Sequence, residues 1–344
     1  GWRGIAMNTF TSERTRSDPL NLVPASIEPF EARGVSAGEA YENVQVLGDL
    51  DAAQFDHLML SITEWVAPEE GCAYCHNPDA SFAADDMYTK KVARRMLTMV
   101  RDINANSRHV GDVGVTCYTC HRGQPVPSDV WFRTVKDTPA AAGWSASQNM
   151  VTDVSQSTSL PSDALETYLL DYGVIAGVPG QDDYPGIQHA ERTYALMNYI
   201  DNSLGVGCTF CHNTRAFYDG GQVTLQWGTA QLGIQMVQEI NNEYLVSLDG
   251  LLPEDRLGPV HGDAPKAACK TCHKGYQQPL QGTNVIRQWP ELATTSGEPE
   301  YASAEGADEA SDGEDAVAAE EADSAEETED GNATAEGGAE EGAT

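Results

Sequence analysis

The chain has 344 residues, 40% of them apolar, and a formal net charge of −33. So large an excess of acid excludes nucleic acid as a partner and favours basic proteins, and no apolar run reaches the roughly 18 residues that would span a bilayer. Eighteen of the negative charges fall between Glu298 and Thr344, where there is no Lys or Arg, which leaves about −15 for residues 1–297.

Residues 1–47 read as an extended N-terminal segment. The chain begins at Gly1 rather than Met, so processing, or an anchor upstream, is expected. A first module is expected over 48–134. Leu50, Phe55, Leu58, Met59 and Ile62 fall near one helix face, Pro68 closes the stretch, and CAYCHN follows, with Cys72, Cys75, His76 and Asn77. Val92, Met96, Met99 and Ile103, spaced 4, 3 and 4, predict a second helix ahead of CYTCHRG, with Cys117, Cys120, His121 and Gly123. A connection over 135–184 leads to a second module over 185–282. There Ile187, Ala190, Tyr194 and Met197, spaced 3, 4 and 3, precede CTFCHN, with Cys208, Cys211, His212 and Asn213. A weaker stripe, Ile234, Val237 and Tyr244, precedes CKTCHKG, with Cys269, Cys272, His273 and Gly275. Residues 283–344 form a C-terminal segment ending in the acidic tail, whose Ala, Glu, Asp and Gly composition predicts disorder.

All eight cysteines lie in C-x-x-C-H motifs, as do four of the eight histidines. The motif is the attachment signature of c-type haem. Two thiols at this spacing reach the two vinyl groups on one porphyrin edge, and the adjoining His faces the iron. Zinc sites do not need a His directly after each pair. A redox dithiol needs one motif rather than four. A disulfide across two residues closes a loop too small to stabilise much. Four haem c are therefore expected, in an oxidising compartment.

The motifs alternate in kind, CHN then CHRG or CHKG, twice over. LMLSI (58–62) matches LMNYI (196–200), and MVRDIN (99–104) matches MVQEIN (236–241). A duplicated pair of sites follows. The expected fold class is mainly α, built from duplicated two-haem modules of helix, turn and C-x-x-C-H, with much irregular loop and little β: a multihaem cytochrome.

Each iron needs a sixth ligand, for which Met is the usual choice. The repeat selects Met59 and Met197. At the second site Met96 and Met99 share a helix face; in the repeat they align with Gly233 and Met236, and spacing does not choose between them. The fourth iron has Met236, His109 and His261 as candidates, the two histidines each lying eight residues before a haem cysteine. His57 and His189 read as surface residues.

GWRGIAM, YENVQVLGDL, SITEWVAPEEGCAYCH, VARRMLTMVRDIN, HVGDVGVTCYTCHRG, DNSLGVGCTFCHN and the stretch from Met236 through LPEDRLG to CKTCHKG resemble the tetrahaem cytochrome subunit of the purple-bacterial photosynthetic reaction centre. The resemblance covers roughly 1–125 and 185–280; residues 135–180 fit less clearly and the tail lies beyond it. It implies His76 with Met59, His121 with Met96, His212 with Met197, and His273 with His109 from the other module. It leaves Met99, Met236 and His261 structural.

It further implies a periplasmic electron carrier on the photosynthetic membrane, peripheral or N-terminally anchored. Residues 1–47 would contact the membrane-embedded L and M subunits, in a complex that also holds an H subunit and a light-harvesting ring. The donor would be a soluble c-type cytochrome or a high-potential iron–sulfur protein, and the acceptor the photo-oxidised bacteriochlorophyll special pair. The competing class is a periplasmic multihaem reductase. Such an enzyme needs an open or Lys-ligated iron, and here enough Met and His candidates exist to close all four sites; no catalytic residue is expected.

Overall fold

Asp51 starts the first long helix. Its carboxylate accepts from the Ala53 N–H at 2.8 Å while Gln54 Oε1 accepts from the Asp51 N–H at 3.1 Å, a reciprocal cap. The computed structural model describes residues 21–134, 152, 154, 159–176, 186–217 and 219–294, within one unit that runs Gly1–Ala302. The acidic tail, residues 1–20 and the remainder of the 135–184 connection lie outside the described residues.

A single turn, α1 (Ala37–Ala40), precedes the capped helix α2 (Ala52–Val66), which ends where Pro68 would break it. The second stripe becomes α3 (Tyr88–Asn106), burying Leu97, Val100 and Ile103. Of its buried cations, Arg101 pairs with Asp49 at 2.7 Å. The second motif is itself a helical turn, α4 (Cys117–His121). In the second module α5 (Ala164–Leu169) packs on α6 (Ile187–Leu204). Helix α7 (Leu225–Glu239) follows, and the fourth motif is again one turn, α8 (Cys269–His273). The fourth stripe is weak in sequence for a structural reason. After Glu239 the chain widens into a π-helix, Ile240–Leu245, so Tyr244 falls out of register with Ile234 and Val237. Among the described residues no strand forms; isolated bridges pair Ser36 with Asp51 and Trp131 with Lys266.

The duplication extends to backbone bonds. Arg122 and Lys274 end α4 and α8 in the left-handed region, at φ 53° and 55°, each followed by a glycine. The Gly123 N–H donates to the Trp65 carbonyl at the end of α2, and the Gly275 N–H to the Ser203 carbonyl at the end of α6, both at 2.9 Å. The second clamp is tight enough that a Cβ on Gly205 would strike the Gly275 carbonyl. Asn104 and Asn241 repeat a second device. Each holds the residue two before its motif, Val115 or Ala267, by both backbone groups.

Two cores result. The first joins Leu58, Trp65, Leu97 and Val100 to Leu280, Val285, Trp289 and Leu292. Trp65 and Trp289 meet edge to face at 4.8 Å, and the Trp289 indole N–H donates to Ser61 Oγ. The second joins Leu165, Tyr168 and Leu169 to Leu196, Tyr199, Ile200 and Val237. Residues 280–292 thus complete the first core and residues 164–169 the second.

Candidate functional site

The second and fourth motifs, α4 and α8, pack on α2 and α6, the helices that precede the first and third motifs. In the first module Met59, Cys72, Cys75, His76, Met96, Cys117, Cys120 and His121 line one continuous cavity of about 1150 Å³. That exceeds the ~300–1,000 Å³ of a single small-molecule pocket. Met99 and Met236 also line it, so proximity does not separate Met96 from Met99. In the second module Met197 packs beside Leu196 against the second core, while Cys208 opens the turn that follows α6 and His212 comes just after it.

The five histidines His76, His109, His121, His212 and His273 share one arrangement. Each places Nδ1 on a backbone carbonyl: Phe82 at 3.1 Å, Thr229 at 3.0 Å, Gln124 at 2.8 Å, Phe217 at 3.0 Å and Tyr276 at 3.0 Å, respectively. Among the described residues no hydrogen bond occupies Nε2 in any of them. A carbonyl on Nδ1 fixes the tautomer with its lone pair on Nε2, the form a metal binds. Burial pushes His76, His109 and His121 below the usual imidazole range and His273 down to about 4, so these four rings are neutral at pH 7.

The other histidines differ. His57 is fully buried rather than at the surface: Nδ1 meets Glu291 at 2.9 Å and Nε2 the Ile27 carbonyl at 2.7 Å. Sequence gives no sign of this, because Glu291 lies 234 residues away. His189 is half-buried, edge-on to Tyr168. His261 is exposed, with Nε2 on the Thr134 carbonyl at 2.8 Å.

His109 crosses from the first module to the second. Its ring centre lies 6.0 Å from that of His273. Two imidazoles bound to one metal at about 2 Å each would stand about this far apart. Gly233 makes the room: a Cβ there would approach His109 Cε1 to 2.8 Å and Nδ1 to 3.0 Å. Cys120 Sγ and Cys272 Sγ approach to 2.6 Å, so the second and fourth motifs meet where the modules join.

A redox dithiol or a thiolate metal site lowers thiol pKa, as the hydrogen bond with Cys272 does for Cys120, but three other thiols of these motifs are pushed the other way. Burial pushes Cys75 and Cys269 up to about 11 and Cys117 to about 12. Cys72 and Cys208 are exposed, and paired thiols with an adjoining, Nδ1-anchored His fit covalent haem attachment.

Sequence reading passed over the asparagines that end the first and third motifs. Asn77 Oδ1 accepts from the Asp79 N–H at 3.0 Å and its amide donates to Asp86; Asn213 does the same with Arg215 N–H and Gln222. Each ties the loop that carries the carbonyl facing its haem histidine. The signal was present as the shared CHN ending.

Helical modules with C-x-x-C-H turns and neutral, Nδ1-anchored histidines define a c-type cytochrome. The sequence profile described as "Photosynthetic reaction centre cytochrome C subunit" matches residues 1–293. Over 314 residues the chain is 53% identical to the photosynthetic reaction center cytochrome c subunit of Roseobacter denitrificans, covering 86% of this chain and 85% of that one. It is 40% identical to the subunit of Rubrivivax gelatinosus, with 85% and 82% covered, and 40% identical to that of Thermochromatium tepidum, with 86% and 74% covered. The chain belongs to the family of photosynthetic reaction centre cytochrome c subunits. It is thus an electron carrier of photosynthesis that bears covalent haem c, not an enzyme, and associates with the reaction centre of the photosynthetic membrane. Among the described residues no helix is long and apolar enough to cross a membrane.

Proposed function

We propose that this chain holds four haem c and relays electrons from a soluble periplasmic donor to the photo-oxidised special pair. The donor is a small c-type cytochrome or a high-potential iron–sulfur protein, and the acceptor lies in the L and M subunits, on the periplasmic face of the membrane. The observation that carries the count is the shared posture of the histidines: four follow a C-x-x-C and turn Nε2 away from the backbone, and a fifth faces one of them.

Cys72 and Cys75, Cys117 and Cys120, Cys208 and Cys211, and Cys269 and Cys272 would each carry one haem. His76 pairs with Met59, His121 with Met96, His212 with Met197, and His273 with His109. Bound haem iron supplies a one-electron ferric–ferrous couple at each site. The residues set its level: a Met thioether raises the potential, so the site closed by His109 and His273 is the low one. The resemblance around RRM supports Met96 over Met99, and the space opened by Gly233 supports His109 over Met236.

Alkaline pyridine spectra of the purified complex should give four haems per chain, and a redox titration should resolve three higher couples and one lower. Two or three haems, or four couples at one level, would overturn the assignment. Flash excitation of membranes should oxidise these haems after the special pair is bleached.

A further inference from the structure

We propose that Lys90 is a positioning residue that raises the potential of the first haem through the carbonyl of Phe82. This rests on His76 being that haem's ligand, as proposed above.

The first and third sites are built alike. The ring of the residue that supplies the carbonyl lies against the histidine in both, Phe82 on His76 at 4.7 Å and Phe217 on His212 at 5.3 Å. A threonine hydroxyl then holds the motif's own loop, Thr89 on the Tyr74 carbonyl and Thr224 on the Phe210 carbonyl. The next residue breaks the likeness. At the first site it is Lys90, buried, whose ammonium donates to the Phe82 carbonyl at 2.7 Å and to that of Ala84 at 2.8 Å. At the third site it is Leu225, 90% exposed, and among the described residues no cation reaches the Phe217 carbonyl.

The Phe82 oxygen therefore accepts from the His76 N–H and from Lys90 at once. A carbonyl bonded to Nδ1–H makes the imidazole a stronger electron donor to its metal. A cation on the same oxygen draws that density away. The ammonium also adds a buried positive charge, which favours the ferrous over the ferric state. Asp85 only partly offsets it: the carboxylate is 36% exposed, lies 3.5 Å from Lys90, and binds Arg94 more closely at 2.9 Å. Both effects raise the potential of the first haem relative to the third.

Redox titration of the intact complex carrying Lys90→Gln, Lys90→Met or Lys90→Arg decides the matter, with haem content measured on the same samples. Lys90→Gln keeps a donor to both carbonyls and removes only the charge, so it reports even where Lys90→Met loses haem. One of the higher midpoints should fall, its reduced-to-oxidised ratio at the original midpoint dropping about tenfold, ~59 mV for one electron. The other three midpoints should hold, and Lys90→Arg should restore the wild-type value. Four unmoved midpoints in Lys90→Gln at full haem content would overturn the role of Lys90 alone, as would an equal shift of all four. Fewer than four haems in the wild type would instead overturn the ligand assignment beneath it.

Discussion

In the first module the Asn104 amide reaches the carbonyl of Leu292; in the second the matching Asn241 reaches that of Leu169. The same side chain thus fastens a segment from opposite directions along the chain: residues after both modules close the first, and residues ahead of α6 close the second. The space at the residue just ahead of the held position is filled differently in consequence. Gly114 stands beneath Ile286, where a Cβ would collide with that side chain. Its counterpart Lys266 is buried and salt-bridged to Asp263 at 2.5 Å. Duplication preserved the clamps that aim the haem-bearing turns and left the closing pieces free to diverge.

The largest test removes one closing piece at a time. Trp289→Ala should cost about 3–5 kcal/mol and Tyr168→Ala a similar amount, measured by urea unfolding. Trp289→Ala should perturb the haem signals of His76 and His121 first, and Tyr168→Ala those of His212 and His273. Equal perturbation of all four by either variant would break the two-core picture.

Asp263→Asn probes the filler peculiar to the second module and should cost about 1.5–3 kcal/mol at neutral pH. Burial alone would raise the Asp263 carboxyl, but Lys266 and the Arg133 N–H hold it below its ordinary value. The carboxylate therefore stabilises the fold above the unfolded pKa of about 3.9, and that stabilisation is lost as pH falls through the lower folded value. The gap between wild type and variant should narrow below about pH 4; a gap constant down to pH 2 would contradict the charge pairing.

The smallest expected change in stability, about 1–3 kcal/mol, belongs to Gly233→Ala, whose Cβ falls 2.8 Å from His109 Cε1. Its spectroscopic effect should be clear all the same. Displacing His109 should alter the electron paramagnetic resonance signal of the low-potential haem while the three other haems keep theirs. An unchanged signal would place the fourth iron's ligand elsewhere.

The helices, the eight cysteines and the repeat were legible because their signals are local: a stripe, a spacing, a matched pentapeptide. Met59 and Met197 are proposed as ligands on the same kind of local signal. What closes each core was not legible, since Trp289 meets Trp65 across more than two hundred residues with no pattern to announce it. His57 read as a surface residue for the same cause. Lys90 lies in a plain helical stretch, and nothing in KKVARR marks one ammonium as turned inward onto a carbonyl. Gly233 was legible only by comparison, as a gap where the repeat led one to expect a methionine.

The return of residues 280–292 to the first module also sets an order of events. A chain that emerges from its N-terminus completes the second core once Val237 and Ala268 arrive, but the first core waits for Leu292. Bringing Trp289 back to Trp65 closes a very long loop, the kind of contact that forms late. The part of the chain first in sequence is thus the last to be sealed, and Cys72, Cys75, Cys117 and Cys120 stay open until residues 280–292 return. A chain truncated before residue 280 should be ordered in its second module and open to protease in its first.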